Sequence, residues 1–193
     1  TIWGNKDIFH IELDNNNISV ISPSILSSRA LNRLFMSNNS LYRLPVELFA
    51  LKIVTIYTDG NRLNSIPAEI GKMTTLQHAR FNNNQNITNI PEEIGNLIKL
   101  QDIDFRNNAI ESLPNSFESL NALKYLYLHD NPICSNGWIE DGASTKIKDI
   151  ITRNDESGCV VQCSIYCPDR FKSDKVCDSE CNSVACKFDG GDC

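Results

Sequence analysis

The stretch Leu100-Gln101-Asp102-Ile103-Asp104-Phe105-Arg106-Asn107-Asn108-Ala109-Ile110-Glu111-Ser112-Leu113-Pro114 carries the pattern that decides the fold. Its apolar frame is Leu100, Ile103, Phe105, Ile110 and Leu113, built around Asn108 and closed by Pro114. The same register recurs as Leu31, Leu34, Met36, Asn39, Leu41, Leu44, Pro45, and as Ile8, Ile11, Leu13, Asn16, Ile18, Ile21. The asparagine returns at Asn16, Asn39, Asn61, Asn84, Asn108 and Asn131, in steps of 23, 22, 23, 24 and 23 residues. A fixed period in the twenties means a solenoid, because one unit cannot bury its own apolar side and needs its neighbours.

Within a unit, Leu100-x-x-Ile103-x-Phe105 alternates with the period of two expected of a short strand with one buried face. The asparagine follows at the turn, where its amide can both donate and accept and so satisfy backbone groups the turn would leave buried. Stacked turns then give a ladder of amides, and leucine in place of Asn84 or Asn108 should cost a few kcal/mol. A second apolar line follows in Leu44-Pro45, Ile66-Pro67, Ile90-Pro91 and Leu113-Pro114. Stretches such as Glu92-Glu93-Ile94-Gly95 then return the chain along the outer side as short helical or 3₁₀ turns.

This pattern resembles the leucine-rich repeat family of the LxxLxLxxNxLxxLPxxIGxL type over residues 8 to 133. The resemblance implies an α/β solenoid over residues 1–133, with units starting near 8, 31, 53, 76, 100 and 123. A parallel concave sheet of about six strands is expected, with short helical or 3₁₀ turns on the convex side. Two departures stand out: Ile21-Ser22-Pro23 puts its proline one place late, and the fourth unit has one extra residue between Asn84 and Ile87. No cysteine-bearing cap precedes Ile8, so the first strand has an open edge unless residues 1–7 cover it.

In such solenoids the outward strand positions form the concave surface. The central line reads Glu12, Phe35, Tyr57, Arg80, Asp104, Tyr127. Beside it run His10, Arg33, Thr55, His78, Asp102, Tyr125 and then Asp14, Ser37, Asp59, Asn82, Arg106, His129. Exposed aromatics next to arginine dominate protein interfaces, so Phe35, Tyr57, His78, Arg80, Asp104, Arg106, Tyr125 and Tyr127 are the candidate ligand-binding residues. Arg80 and Asp104 are expected to form a surface ion pair. Charge reversal at Arg80 and Arg106 is expected to abolish partner binding with little change in melting temperature.

The net charge of −6, without a Lys/Arg cluster, argues against a nucleic-acid partner. No apolar stretch reaches the roughly 18 to 20 residues of a membrane span. No signal peptide opens the chain, which reads as processed or as a cut-out piece. Seven of the eight cysteines lie between Cys134 and Cys186 and Cys193 closes the chain, so disulfide staples and an oxidising compartment are expected. Three sequons, at Asn17, Asn38 and Asn86, agree with secretion.

After the sixth unit, Ile147, Ile150 and Ile151 recur at helical spacing and predict a short capping helix within residues 134–162, with Trp138 beneath it. Cys134 and Cys159 flank this segment as its natural clamp. Residues 163–193 pack six cysteines among few hydrophobes, so crosslinks, with or without a metal, must replace a core. Asp189 and Asp192 flank a Gly-Gly turn and Asp174 precedes Cys177; oxygen donors of this kind suit Ca²⁺ and not Zn²⁺.

The run Cys177-Asp178-x₂-Cys181-Asn182-x₃-Cys186-x-Phe188-Asp189-Gly190-Gly191-Asp192-Cys193 is similar to the Lin-12/Notch repeat. That resemblance implies a small disulfide-rich, calcium-binding module with little regular structure, paired Cys163–Cys186, Cys167–Cys181 and Cys177–Cys193. It leaves Cys134–Cys159 for the cap, one choice among the 105 pairings eight cysteines allow. It also places calcium on Asp174, Asp189 and Asp192, with a main-chain carbonyl from Phe171.

No catalytic constellation is present. His10, His78 and His129 stand 51 to 68 residues apart without a nucleophile beside them, and there is no HExxH or phosphate loop. The expectation is an extracellular binding module, the protein- or peptide-recognising ectodomain of a cell-surface receptor or a fragment of one. The alternative is a secreted matrix or adhesion protein that binds a structural protein or a glycan.

Overall fold

The computed structural model describes residues 4–136, 139 and 142–153. Six three-residue strands run in chain order: β1 (His10–Glu12), β2 (Arg33–Phe35), β3 (Thr55–Tyr57), β4 (His78–Arg80), β5 (Asp102–Asp104) and β6 (Tyr125–Tyr127). They form one sheet in sequence order, all parallel and in unbroken register from His10↔Arg33 to Asp104↔Tyr127. The architecture is the α/β solenoid expected from the sequence, with 3₁₀ turns opposite the strands.

The central residue of each strand points inward: Ile11, Leu34, Ile56, Ala79, Ile103 and Leu126 are all 1% exposed or less. Each such aliphatic side chain contributes roughly 1.5–3 kcal/mol by leaving water. The next inward position holds Leu13, Met36, Thr58, Phe81, Phe105 and Leu128. Thr58 is fully buried among them, and its hydroxyl donates to the Arg80 carbonyl at 3.3 Å. The small side chains Thr58 and Ala79 are offset by Phe81, which stacks on Phe105 at 5.8 Å between ring centres.

Proline sets the turn on the other side. Its fixed φ keeps Pro45, Pro67, Pro91 and Pro114 extended, and their carbonyls accept from Leu48, Ile70, Ile94 and Phe117 at 3.0–3.2 Å to open a 3₁₀ turn. In the first unit the late proline falls inside the turn Pro23–Ser27. Ser22 takes over the cap, accepting from Ile25 through its carbonyl and from Ser24 through its hydroxyl. Consecutive turns approach closely: a Cβ on Gly95 would lie 2.6 Å from the Ser116 Cβ and 2.7 Å from the Ser116 carbonyl oxygen.

The amide ladder is present and its details differ along the chain. Asn61 donates to Met36, Thr58 and Asp59 carbonyls at 2.9–3.2 Å and accepts from the Leu41 N–H at 2.9 Å. Asn39, Asn84 and Asn131 repeat this, with Ile18, Leu63 and Ile110 as the donors they accept from. Asn16, in the first unit, is exposed and bonds only to its own turn. At Asn108 the Oδ1 is buried without a partner, although the amide nitrogen keeps its three bonds. In the fourth unit, which has the extra residue and where Gln85 takes φ +63°, the Ile87 carbonyl still accepts from Ala109, as those of Ile18 and Leu41 accept from Ser40 and Arg62. Its N–H does not reach Asn108 Oδ1, whereas those of Ile18 and Leu41 reach Asn39 and Asn61.

The residue before each ladder asparagine is left-handed: Asn15, Asn38, Gly60, Asn83, Asn107 and Asp130 have φ of 52–63°. Asn, Asp and Gly are the residues that tolerate this region, which accounts for the Asn-Asn pairs of the sequence.

At the far end, the helix Thr145–Arg153 packs on β6 and on the turn Asn115–Ser119, burying Ile147 and Ile150. Ser144 caps it, its hydroxyl accepting from Ile147 at 3.3 Å. Cys134 is disulfide-bonded. At the opposite end β1 pairs with β2 on one edge, and no described strand pairs its other edge. The chain divides into two compact units, Thr1–Gly158 and Cys159–Cys193. The second unit lies outside the described residues. So do Trp138, the expected partner Cys159 of the cap disulfide, the pairs Cys163–Cys186, Cys167–Cys181 and Cys177–Cys193, and the calcium ligands Phe171, Asp174, Asp189 and Asp192.

Candidate recognition face

Alternation in strands of three residues sends the first and third side chains away from the core, and parallel register lines them up across the sheet. Three rings and one cation thus meet in sequence across β1 to β4. His10 meets Phe35 edge-on at 4.8 Å, Phe35 stacks on Tyr57 at 4.9 Å, and the Arg80 guanidinium lies 4.3 Å from the Tyr57 ring centre. Such offset aromatic pairs and a close cation–π contact are each worth about 1 kcal/mol, and together they hold flexible side chains in place.

The other half of the face is built from polar contacts to carboxylates. His78 Nδ1 contacts Asp102 Oδ2 across neighbouring strands. Arg106 grips Asp104 through Nε at 2.9 Å and Nη2 at 2.6 Å, while its own N–H donates to the same carboxylate at 3.0 Å. Arg106 also lies 5.3 Å over the Tyr127 ring, and Tyr127 stacks on Tyr125 with planes 6° apart.

Two expectations are corrected here. Asp104 is not an open ligand-facing carboxylate: its side chain is only 6% exposed because Arg106 folds over it. Nor does it pair with Arg80, its register partner on β4, since Arg80 turns to Tyr57. Reversing the charge of Arg106 would therefore strand a nearly buried carboxylate and lower stability, so only Arg80 remains a clean probe of binding.

His10, Arg33 and Asp102 belong to the same surface although they were read only as members of their columns. The signal that finds them is the register: Asp102 sits directly across from His78 and Tyr125, and His10 and Arg33 face each other beside Phe35. In the third column, Ser37 donates its N–H to Asp14 at 2.6 Å and its hydroxyl to Asp59 at 2.7 Å. That ties the loop edge together. Among the described residues no group of three or more His, Cys, Asp or Glu is placed to hold a metal. No described helix is long and apolar enough to cross a membrane.

The three sequons differ. All three asparagines are exposed, and the Oδ1 of Asn17 accepts from Ser40 at 2.9 Å. Asn38 has φ +54°, donates its amide to Asn15 at 3.0 Å and sits against Gly60, where a Cβ would come within 2.2 Å of its Oδ1.

Residues 74–133 match the family model for the leucine rich repeat, and residues 160–193 match that for the LNR domain of Notch. Among solved structures, the chain is similar to a leucine-rich repeat protein of Leptospira interrogans at 28% identity and a TM-score of 0.66, over 77% of this chain and 35% of that one. The plant peptide hormone receptor RGFR1, in complex with RGF2, is 25% identical at a TM-score of 0.62, over 67% and 22%. The ectodomain of the receptor kinase GASSHO1/SCHENGEN3 from Arabidopsis thaliana, in complex with CASPARIAN STRIP INTEGRITY FACTOR 2, is 34% identical at 0.56, over 62% and 15%. The chain thus spans about a third or less of each of these proteins. Among curated proteins none matches the chain in sequence. The chain is a leucine-rich repeat protein with a C-terminal LNR module.

Proposed function

We propose that this chain is an extracellular recognition module, part or all of the ectodomain of a cell-surface receptor, and that it binds a protein or peptide on the strand face of its solenoid. The observation that carries this reading is the run His10–Phe35–Tyr57–Arg80, a continuous apolar and cationic shelf fixed by its own ring contacts. Pre-ordered aromatic and arginine side chains lose little entropy when a partner settles on them, which is what interface anchors require. The two plant receptors above, held in complex with RGF2 and with CASPARIAN STRIP INTEGRITY FACTOR 2, support a peptide or protein partner. Six strands about 4.8 Å apart offer a surface roughly 25 Å long, suited to an extended segment more than to a metabolite.

An outside location is supported by the bonded Cys134, the cysteine-rich tail and the exposed sequons Asn17 and Asn86. In the LNR module, Asp174, Asp189 and Asp192 with the Phe171 carbonyl would hold Ca²⁺. Their donor set of hard oxygens without histidine fits that ion, and calcium would supply charge neutralisation that a module without a core needs. A secreted matrix or adhesion protein is the second reading, favoured by Tyr125, which is 47% exposed and could take a sugar face.

The test compares the intact chain with a Phe35→Ala/Tyr57→Ala/Arg80→Gln variant as baits for the secreted and surface proteins of the source organism. The variant loses three ring contacts and should melt several degrees lower yet stay folded at the assay temperature, where partners retained by the first should be lost by the second. Partners kept by the variant would contradict the reading.

A further inference from the structure

Two arginines on the strand face have their charge unused. Among the described residues, neither Arg33 nor Arg80 has a carboxylate within ion-pair distance. The nearest register partner of Arg80, Asp104, is taken by Arg106, and Asp102 is taken by His78. Asp14 and Asp59 belong to the third column and bond to Ser37.

The way Arg80 is held matters for what it can do. Its Cζ rests 4.3 Å from the Tyr57 ring centre, which fixes the cation in place. Among the described residues no acceptor takes the side-chain N–H groups of Arg80. A planar cation held by a ring, with its donors unpaired, matches a carboxylate through two parallel hydrogen bonds. Arg33 stands two strands away and two residues along, about 12 Å off from strand spacing and rise. Phe35 and Tyr57 lie between the two cations.

Resting on the reading of the strand face as a peptide site, we propose that the site selects an acidic peptide. One carboxylate seats on Arg80, an aromatic or aliphatic side chain lies on the Phe35–Tyr57 shelf, and a second acidic group three or four residues further on reaches Arg33. An extended chain advances about 3.3 Å per residue, so that spacing covers the gap.

The probe is a displayed library of random twelve-residue peptides selected on the whole chain. Recovered peptides are then measured against the Arg80→Gln, Arg80→Lys, Arg33→Gln and Tyr127→Ala variants. The proposal expects Asp or Glu enriched on either side of an apolar residue. It expects R80Q to weaken binding about tenfold or more and R80K to restore part of it. Changing the peptide's acid to its amide should erase the difference between the parent and R80Q. Binders that lose affinity in Y127A but not in R80Q or R33Q would overturn the acidic subsite and leave the peptide face standing. Binders indifferent to all four variants, or no binders, would overturn both.

Discussion

Replacing Asn61 with leucine keeps the number and branching of the side-chain heavy atoms and removes one rung of the amide ladder. The carbonyls of Met36, Thr58 and Asp59 each lose a donor at 2.9–3.2 Å, yet each retains another, from Asn39, Asn84 and the Asn38 N–H respectively. The buried Leu41 N–H is different, because Asn61 Oδ1 is its acceptor and nothing replaces it. One orphaned buried donor at about 2 kcal/mol and three weakened carbonyl bonds at about 0.5 kcal/mol each give roughly 3–4 kcal/mol. The same change at Asn108 orphans no N–H and removes an oxygen already without a partner, so about 1–2 kcal/mol is expected. At the exposed Asn16 it should cost under about 1 kcal/mol. Urea unfolding followed by circular dichroism measures all three, with constant slope as the control. An Asn16 variant as damaged as the Asn61 variant, or an Asn61 variant within about 1 kcal/mol of the parent, would refute the ladder argument.

Three further outcomes are expected. Arg106→Glu should destabilise the chain by about 2–3 kcal/mol, the low end for a broken buried pair because Arg106 is partly exposed, whereas Arg80→Gln should leave the melting temperature within a degree or two; thermal melts separate them. Chelation of Ca²⁺ should raise hydrogen exchange in residues 163–193 and leave the repeats unchanged, and calorimetry without heat on Ca²⁺ addition would count against the metal ligands. Expressed in a secretory host, the chain should carry glycan at Asn86 and Asn17, while Asn38 stays bare because its amide and left-handed backbone are engaged; mass spectrometry of the glycopeptides decides.

The period, the strand register and the inward side chains were legible because a solenoid translates linear spacing into geometry with almost no other freedom. Even the late proline at Pro23 has a local solution that keeps the turn. What the spacing could not convey is choice among neighbours. Asp104 has Arg80 across the sheet and Arg106 two residues along its own chain; the backbone N–H of Arg106 joins its side chain on the carboxylate and decides the matter. The left-handed positions before each ladder asparagine were in plain view as Asn-Asn, Gly-Asn and Asp-Asn pairs, a turn signal overshadowed by the repeat itself. The orphaned Asn108 oxygen depends on where the extra residue of the preceding unit is absorbed, which periodicity alone does not say.

Recognition by the strand face is tested most directly by photo-crosslinking from two positions on the same solenoid. A benzophenone side chain is placed at Tyr57 on β3, or at the exposed Lys72 on the opposite turn, and irradiated with a peptide recovered from the library. Crosslinked peptide from position 57 and none from position 72 is the expected result. Crosslinking from position 72 alone would place recognition on the convex side and contradict the account.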